Sequence, residues 1–299
     1  MSWKRPLLIY PYGPHKKSEQ LYGGLAVINP IGLEVVATAL KKAGIEPLIV
    51  DMRRETTPLE EIVARFKPDI IGISINWGTD PDVAALIRRL PEDVTLVIGG
   101  LFATRQPEEI LEQFPEADVL VMGYGEDTMV ELSRAGRPEN VAGIWYRKQA
   151  GAYSPAHRNG LPRVGGEVVK NQLRQGVDVT HFRVDRALRR YVYPFMSLPG
   201  DNVITSVGCP NLCAFCKWRE NIFGEAQPWI GREPEDVVDE LAEINADIVH
   251  IVDANFAANP KRVERICDLI IERDIRHLYA CEIRVNALLR REQVRKMER

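Results

Sequence analysis

The sequence predicts an α/β protein of two domains. Residues 1–147 are expected to form a doubly wound, Rossmann-like parallel sheet, and residues 201–299 a further series of strands and helices. The chain has 299 residues, and domains of about 150 residues are common. Short, nearly continuous apolar runs alternate with segments of helical spacing, which is typical of parallel strands covered by helices on both faces. The alternation breaks once, over residues 148–200, where Gly, Pro and Arg are frequent.

The elements of the first domain alternate without interruption. Its first predicted helix, Ile31–Lys42, has apolar residues at helical spacing and is followed by Gly44, which suits the position just after a helix. Its third predicted strand, Asp69–Ile75, is an apolar run of the kind that is buried on both faces. The other predicted strands are Leu7–Tyr10, Pro47–Asp51, Thr95–Ile98, Asp118–Met122 and an edge strand Gly143–Tyr146, and the other predicted helices are Leu59–Phe66, Val83–Leu90, Glu108–Phe114 and Asp127–Ala135.

Residues 148–200 are predicted to be an interdomain linker. Their basic stretch, His181–Arg190, is interpreted as a solvated and partly helical face. Beyond the linker the alternation resumes. The predicted strands are Val203–Val207, Ile248–Val252 and Leu278–Ile283, and the predicted helices are Pro234–Ile244, Val263–Arg273 and a last helix that begins at Glu292.

Composition argues against several classes of protein. Lys and Arg total 39 against 42 Asp and Glu, a net charge of −3, whereas binding to nucleic acid by bulk charge needs a clustered positive field. The longest apolar runs, such as Val119–Met122, are far shorter than the ~20 residues that cross a bilayer. The amino terminus lacks the apolar segment of roughly 7–15 residues that a secretory signal needs. We therefore expect a cytoplasmic protein that neither binds nucleic acid nor spans a membrane.

Three of the five cysteines lie within eight residues, at Cys209, Cys213 and Cys216, directly after a predicted strand. Open α/β folds carry their chemistry at the carboxyl ends of strands. Three thiolates suit a soft metal or an iron–sulfur cluster, and a four-iron cluster held by three cysteines keeps one iron open for a ligand. A structural zinc site would need a fourth ligand close by, for which His181 and His250 are the nearest candidates. Chance clustering of structural thiols is the remaining alternative.

The spacing C-x3-C-x2-C, with the aromatic Phe215 before the third cysteine, resembles the motif of the radical S-adenosylmethionine (SAM) superfamily over residues 200–299. The resemblance implies a partial β/α barrel in which Cys209, Cys213 and Cys216 hold a [4Fe-4S] cluster. It also implies that SAM chelates the open iron beside Phe215. One electron, supplied by a reduced ferredoxin or flavodoxin, then cleaves SAM to methionine and a 5′-deoxyadenosyl radical.

Two later strands end in segments similar to those of several radical SAM subgroups. The second strand leads into Asp253-Ala-Asn255-Phe, which implies contacts from Asp253 and Asn255 to SAM; the alternative is that Asp253 caps the next helix. The third strand carries Glu282 and Arg284, which alternate onto one face and would both point inward, as contacts to SAM or in an inward salt bridge. The remaining cysteines, predicted to be core residues, are Cys267 and Cys281.

Glycine-containing segments lie at strand ends and helix starts of the first domain, where small residues let the backbone approach a large flat ligand. These segments are Asn29–Leu33, Pro68–Ser74, Gly99–Gly100 and Gly123–Glu126. They resemble the cobalamin-binding domain of B12-dependent radical SAM enzymes over residues 5–147. No G-x-G-x-x-G follows the first strand, which disfavours a dinucleotide. The corrinoid is expected between the domains, and the residues that the resemblance assigns to it are Tyr12, Ser74, Asn76, Trp77, Gly99, Gly100, Gly123, Gly125 and Glu126.

The D-x-H-x-x-G motif, through which other B12 proteins supply a histidine to cobalt, is absent from the sequence. The subfamily typically binds cobalamin without that histidine, so the absence fits the resemblance. We expect the lower face of cobalt to lack a strong protein donor, which should ease its reduction. The alternative is that His15, in the loop after the first strand, binds cobalt.

The two resemblances imply an enzyme that uses cobalamin, SAM and a [4Fe-4S] cluster to methylate an unactivated carbon of a small-molecule or natural-product substrate. Radical cyclisation or rearrangement is the nearest alternative, and a non-catalytic module that carries cluster and corrinoid is another. A radical SAM barrel usually has six βα units, whereas the 83 residues after Cys216 suffice for about three. We therefore expect that sequence is missing at the carboxyl end.

Overall fold

The computed structural model describes residues 2–11, 29–76, 81–148, 167–195, 198–211, 213, 214, 216 and 228–298. The chain forms two compact units. The first comprises Met1–Leu21, Gly32–Val177 and Asp185–Tyr191, and the second comprises Tyr22–Ile31, Asp178–Val184 and Val192–Arg299. In the described part of the chain, no helix combines the length and the apolarity needed to cross a membrane.

A mixed sheet covered by helices forms the first unit. Its described strands are β1 (Pro6–Tyr10), β2 (Leu48–Asp51), β3 (Ile70–Ser74), β4 (Thr95–Gly99), β5 (Val119–Val121), β6 (Ile144–Lys148) and β7 (Glu167–Lys170), and its described helices are α1 (Ile31–Lys42), α2 (Leu59–Phe66), α3 (Pro81–Arg88), α4 (Leu101–Arg105), α5 (Pro107–Gln113) and α6 (Glu126–Ala135). The strand order is β2-β1-β3-β4-β5-β6-β7, and β1 to β5 are parallel. The order changes direction between β1 and β3, so their carboxyl ends form a topological switch point.

The parallel strands confirm the predicted doubly wound domain, and the predicted bounds lie close to the observed ones. One prediction is wrong in detail, and one helix was missed. Strand β6 pairs antiparallel with β5 and is covered by β7 on its other side, so Gly143–Tyr146 is not an edge strand. Helix α4 was not predicted. Strand β7 comes from the segment interpreted as a linker, and its pairing with β6 is a long-range contact that a local pattern does not show.

The parallel strands of this sheet are apolar because helices cover them. Side chains of α1 pack on side chains of the parallel strands in one core cluster, which explains the helical spacing of the apolar residues in α1. The members that join helix to sheet are Leu33, Ala37 and Leu40 of α1 and Leu8, Ile49, Ile70, Val97 and Val119 of the strands.

The second half of the basic stretch is not the solvated face that the linker interpretation predicts. Arg189 has a side chain 15% exposed and forms a bidentate ion pair with the buried Glu34 of α1, with N–O distances of 2.8 and 2.7 Å. Asp185 accepts a hydrogen bond from Lys41 at 2.6 Å, and its amide donates to Thr38 Oγ1 at 2.8 Å. These contacts attach residues 185–191 to the first unit, and Arg189 supplies the cation that the buried Glu34 carboxylate needs.

The first half of the stretch belongs to the second unit. In that unit Arg183 forms ion pairs with Asp236 and Glu243. Two 3-10 helices, Val179–Phe182 and Arg186–Leu188, confirm that the stretch is partly helical.

A smaller sheet and its helices form the second unit. Its described strands are β8 (Pro194–Phe195), β9 (Leu198–Val203), β10 (Ser206–Val207), β11 (Ile230–Gly231), β12 (Ile248–Ile251) and β13 (Leu278–Cys281), and its described helices are α7 (Pro234–Glu243), α8 (Pro260–Glu272) and α9 (Arg291–Glu298). The sheet has the order β13-β12-β9-β8, with β9, β12 and β13 parallel and β8 antiparallel to β9. Strands β10 and β11 form a separate antiparallel pair. Helices α7 and α8 cover one face of the sheet, where Val203, Val237, Val249, Val263 and Ile266 share a core cluster.

The first parallel strand of this unit is β9, Leu198–Val203, and not the predicted Val203–Val207. Asp201 and Asn202 are buried within β9, although polar residues beside Pro and Gly indicate a loop when only the local pattern is considered. Parallel pairing with β12 places them in the sheet. The cysteines consequently follow the short strand β10, which lies outside that sheet.

Candidate functional site

The carboxyl ends of β1, β3, β4 and β5 lie along one edge of the first sheet, where open α/β folds bind ligands. Strand β3 ends at Ser74, which is partly exposed and accepts a hydrogen bond from Asn76 Nδ2 at 3.3 Å. Strand β4 ends at Gly99, which pairs directly with Ser74. The structure thus brings these predicted residues together at the switch-point edge.

Gly100 is required at this edge by the fold itself. Its φ is +97°, and a Cβ would lie 2.6 Å from the carbonyl oxygen of Ile75 and 2.9 Å from Asn76 Oδ1. The same Oδ1 accepts a hydrogen bond from the amide of Leu101, in the first turn of α4, at 3.1 Å. Gly100 therefore permits the close approach of the ends of β3 and β4, and Asn76 satisfies an otherwise unpaired amide at the start of α4.

The turn between β5 and α6 carries three further predicted residues. Gly123 has a φ of +77°, and its amide donates to Thr104 Oγ1 at 3.0 Å. Gly125 directly precedes α6, and Glu126 in the first turn of α6 is buried. A carboxylate is favoured there by the unpaired amides of a helix start. The residues of the cobalamin prediction that lie outside the described ranges are Tyr12, His15 and Trp77.

Tyr124, between Gly123 and Gly125, was missed by the sequence analysis. The residue is 36% exposed, and partial burial together with the charge of Glu126 raises the pKa of its phenol to about 12. A phenol that stays protonated at neutral pH can donate a hydrogen bond to a ligand at this edge. An aromatic residue between two glycines is the sequence signal that could have identified it.

The cysteine loop, defined here as residues 208–229, connects β10 to β11 within the second unit. It begins at Gly208, whose φ is +73°. The three thiols of Cys209, Cys213 and Cys216 are free and partly buried, and the amide of Cys216 donates to the carbonyl oxygen of Cys213 at 3.0 Å. Among the described residues, no three Cys, His, Asp or Glu side chains are grouped so as to hold a metal ion. The predicted Phe215 lies outside the described residues.

Asn211 links the cysteine loop to the segment that follows β13. Its Nδ2 donates to Sγ of Cys209 at 3.4 Å, and Nη1 of Arg284 donates to its Oδ1. Arg284 was predicted to point toward a SAM site, and the structure brings it to the cysteine loop. Asn211 was not predicted, because only its position between two cysteines could have indicated a role.

Glu282 is hydrogen-bonded to His250, with 2.9 Å between Oε1 and Nε2. Neighbouring Val249 lies in the core with α7 and α8, and side chains alternate along a strand, so His250 lies on the opposite face of the sheet. The predicted inward salt bridge is therefore replaced by two separate contacts, Glu282 with His250 and Arg284 with Asn211.

Asp253 is only 2% exposed, and both of its carboxylate oxygens are engaged. Oδ1 accepts from the amides of Thr205 and Ser206 at 2.7 and 3.0 Å, and Oδ2 accepts from their hydroxyls at 2.5 and 2.6 Å. These four hydrogen bonds direct the carboxylate toward the residues before the cysteine loop. The predicted alternative, that Asp253 caps the next helix, is wrong: Asn259 caps α8.

Asn255 is 4% exposed, and no described residue donates a hydrogen bond to its Oδ1. A buried acceptor without a donor costs free energy unless a ligand or water satisfies it. Asn255 follows the carboxyl end of β12, the position at which it was predicted to contact a ligand. Its Oδ1 is therefore a candidate acceptor for a ligand N–H or O–H group.

The two isolated cysteines are core residues, as predicted. Cys267 of α8 lies in the core cluster that this helix shares with α7 and the sheet, and burial raises the pKa of its thiol to about 11. Cys281 packs partly buried against the same cluster, and burial raises its pKa as well. Neither thiol has the lowered pKa that a reactive cysteine needs.

Two buried arginines near the cysteine loop were also missed. Arg232 pairs with the fully buried Glu240 at 2.5 Å and with Asp236 at 2.8 Å. Arg262 of α8 is 8% exposed and donates to backbone carbonyl oxygens on both sides of the loop. The partners of Arg262 lie 30 and 57 residues away in sequence, so no local pattern indicates them, whereas Asp236 lies only four residues after Arg232.

Three comparisons bear on what this site holds. A family model described as the B12 binding domain matches residues 25–133. The chain is 28% identical over 270 residues to an uncharacterized methyltransferase, PH0819, of Pyrococcus horikoshii, covering 86% of this chain and 55% of that protein. It is 24% identical over 266 residues to the anaerobic magnesium-protoporphyrin IX monomethyl ester cyclase of Cereibacter sphaeroides, covering 82% of this chain and 40% of that protein.

Among solved structures, the fold is similar to that of TsrM from Kitasatospora setae, a radical S-adenosylmethionine methyltransferase with tryptophan substrate and a SAM analogue bound. The TM-score is 0.61 at 23% identity, over 90% of this chain and 51% of that one. This likeness shows a shared fold. The chain spans about half the length of the relatives it matches.

Proposed function

We propose that this chain, which matches the B12 binding domain model over residues 25–133, is a cobalamin-dependent radical SAM enzyme that methylates an unactivated carbon of a small molecule. The observation that carries the proposal is the loop of three free thiols, Cys209, Cys213 and Cys216, after a strand of the second unit. A match to the B12 binding domain model and a three-cysteine loop in one chain support chemistry that uses both cofactors.

The thiol donors fit a [4Fe-4S] cluster. Thiolates are the usual ligands of such clusters, and Cys209, Cys213 and Cys216 would hold three of its irons. When bound, the cluster supplies the single electron that cleaves SAM. Asn211 holds the Cys209 sulfur through a hydrogen bond, and a reduced ferredoxin or flavodoxin is the proposed electron donor.

The polar groups after β12 and β13 fit SAM. The unsatisfied Oδ1 of Asn255 can accept a hydrogen bond from an ammonium or hydroxyl group of SAM. Glu282, whose side chain is 58% exposed, offers SAM a second hydrogen-bond acceptor. The guanidinium of Arg284 can bind the carboxylate of SAM. Phe215 is also proposed to contact SAM, because it occupies the aromatic position of the three-cysteine motif.

The switch-point edge of the first unit fits cobalamin. The Ser74 hydroxyl and the Tyr124 phenol can donate hydrogen bonds there, and both side chains are at least partly exposed. When bound, cobalamin supplies a cobalt-carried methyl group. The other residues proposed to line the corrinoid are Tyr12, Asn76, Trp77, Gly99, Gly100, Gly123, Gly125 and Glu126.

Two observations bear on the substrate and the reaction. The TsrM structure holds tryptophan, which supports a small-molecule substrate here. The match to a cyclase supports radical cyclisation as a second candidate reaction. A non-catalytic module that carries both cofactors is the alternative of a different class.

The test is an anaerobic assay of the chain reconstituted with iron, sulfide and cobalamin, reduced with titanium(III) citrate and supplied with SAM that carries a trideuterated methyl group. A methylating enzyme forms 5′-deoxyadenosine and S-adenosylhomocysteine and transfers the labelled methyl to cobalamin, as mass spectrometry detects. 5′-Deoxyadenosine without methyl transfer favours cyclisation, and the absence of both products contradicts an enzyme. Cys213→Ala should abolish 5′-deoxyadenosine formation, whereas the core variant Cys267→Ala should retain it.

A further inference from the structure

The two ends of the cysteine loop are held side by side. Strand β10 at its start pairs antiparallel with β11 at its end, through Ser206 with Gly231 and Val207 with Ile230. The amide of Arg232 donates to the carbonyl oxygen of Thr205 at 2.9 Å. The base of the loop is thus a short backbone ladder of few hydrogen bonds, and a ladder of this length is marginal without further support.

One buried guanidinium joins the two sides of that base. Nη2 of Arg262 donates to the carbonyl oxygen of Thr205 at 2.7 Å, and its Nε donates to the carbonyl oxygen of Arg232 at 2.8 Å. Its Nη1 reaches Thr205 Oγ1 at 3.3 Å. The planar, forked guanidinium can make these contacts at once, which a lysine ammonium on a flexible stem cannot reproduce.

Asp253 is the counter-charge of this guanidinium. Its four hydrogen bonds from Thr205 and Ser206 use the full acceptor capacity of a carboxylate. Burial lowers the pKa of Arg262, and the charge of Asp253 acts in the opposite direction. A buried cation and a buried anion therefore meet at Thr205, which lies four residues before the first cysteine.

We propose that Arg262 and Asp253 form a clamp that positions the cysteine loop, and that Asp253 is a positioning residue and not a ligand of SAM. The proposal rests on the proposed function only in assuming that the cysteine loop holds a cluster. The pairing of the two ends of the loop is a property of the apoprotein. With the Asp253 carboxylate already saturated, Asn255 is the residue of this segment with an acceptor left for SAM.

The first test compares Arg262→Lys with Arg265→Lys, a matched change on the same helix at an exposed ion pair with Glu235. Hydrogen–deuterium exchange of the apoprotein should show amides of residues 205–207 and 230–232 exchanging at least about tenfold faster in Arg262→Lys, because each lost bond had a charged donor. The same amides should be unchanged in Arg265→Lys. Unchanged exchange in 249–251 of both variants shows that the sheet remains folded.

The second test uses Asp253→Asn, which keeps the shape and an acceptor oxygen but removes the charge. Iron and sulfide content after reconstitution should fall at least twofold in Asp253→Asn and in Arg262→Lys but not in Arg265→Lys. For the Asp253→Asn molecules that do hold a cluster, the Kd for radiolabelled SAM should stay within about twofold of the wild type.

Wild-type exchange and full cluster content in Arg262→Lys would overturn the clamp. Full cluster content with at least tenfold weaker SAM binding in Asp253→Asn would instead make Asp253 a SAM ligand. A wild-type chain that takes up no cluster, while Arg262→Lys still loosens the loop base, would contradict the proposed function and uphold the clamp.

Discussion

Nδ2 of Asn211 donates a hydrogen bond to the Cys209 sulfur at 3.4 Å, while Arg284 donates to Oδ1 of the same amide. Hydrogen bonds to cluster sulfurs stabilise the reduced, more negative state and raise the reduction potential. A bond whose strength changes by about 1 kcal/mol between oxidation states moves a one-electron potential by roughly 40 mV. We therefore expect Asn211→Ala to lower the cluster potential by tens of millivolts in a redox titration followed by electron paramagnetic resonance.

Asn286→Ala is the matched control, since Asn286 is an exposed amide of the same unit. Its cluster potential should equal that of the wild type. An equal potential in Asn211→Ala would show that the hydrogen bond does not persist when the cluster is bound.

The ion pair between Arg189 and Glu34 should contribute strongly to the stability of the first unit. Glu34 is 2% exposed, and removing one partner of a buried pair leaves an uncompensated charge that costs about 3–5 kcal/mol. We expect Glu34→Ala to lower the free energy of unfolding by about 3 kcal/mol in urea titrations. Glu60→Ala breaks a pair whose side chains are 51% and 50% exposed and should cost less than about 1 kcal/mol. Equal effects of the two changes would contradict the buried pair.

The contact of Tyr191 with Glu55 predicts an acid-sensitive stability. Burial alone would raise the pKa of Glu55, but hydrogen bonds from Tyr191 and Thr57 and the charge of Arg190 outweigh it and lower the pKa from 4.5 to about 2. A carboxyl group with a depressed folded pKa stabilises the fold fully above its unfolded pKa, and this contribution is lost as the pH falls from 4.5 toward 2.

Unfolding free energies measured between pH 7 and pH 2 should therefore fall less steeply in Glu55→Gln than in the wild type. Tyr191→Phe, which removes the 2.7 Å hydrogen bond, should move the loss to higher pH. Identical pH profiles of the wild type and Glu55→Gln would contradict the prediction.

Asn255 should contribute to SAM affinity without contributing to cluster binding. If its buried Oδ1 accepts a hydrogen bond from SAM, Asn255→Ala should raise the Kd for SAM about tenfold, corresponding to the roughly 1–3 kcal/mol of such a bond. Equilibrium binding of radiolabelled SAM measures this, with iron and sulfide content as the internal control. Loss of the cluster, or an unchanged Kd, would assign the residue a structural role.

Gly100 and Gly32 should respond oppositely to alanine. At Gly100 a Cβ would lie 2.6 Å from a carbonyl oxygen at a φ of +97°, so Gly100→Ala should lower the free energy of unfolding by about 2 kcal/mol or more. Among the described residues outside its own helical turn, none has an atom within 4 Å of the position that a Cβ on Gly32 of α1 would take. Gly32→Ala should therefore raise stability by about 0.5–1 kcal/mol, because alanine favours the helix. Thermal unfolding measures both, and a stable Gly100→Ala would refute the close approach.

Local sequence patterns were sufficient to predict an element wherever its apolar residues are the buried ones. Strand β3 reads as apolar from Ile70 because helices cover both of its faces, and the spacing of the three cysteines is visible within eight residues. Strand β9 escaped prediction because Asp201 and Asn202 are buried polar residues held by pairing with β12. The contact of Arg262 with Thr205 spans 57 residues, so only the folded chain reveals it.

The pairing of β10 with β11 has a consequence for how this protein can vary. A segment whose two ends are already fixed beside each other can change in length at low cost, since each doubling of a loop adds only about 0.6 kcal/mol of closure entropy. Natural insertions and deletions between the third cysteine and Ile230 would therefore leave the sheet beneath them unchanged.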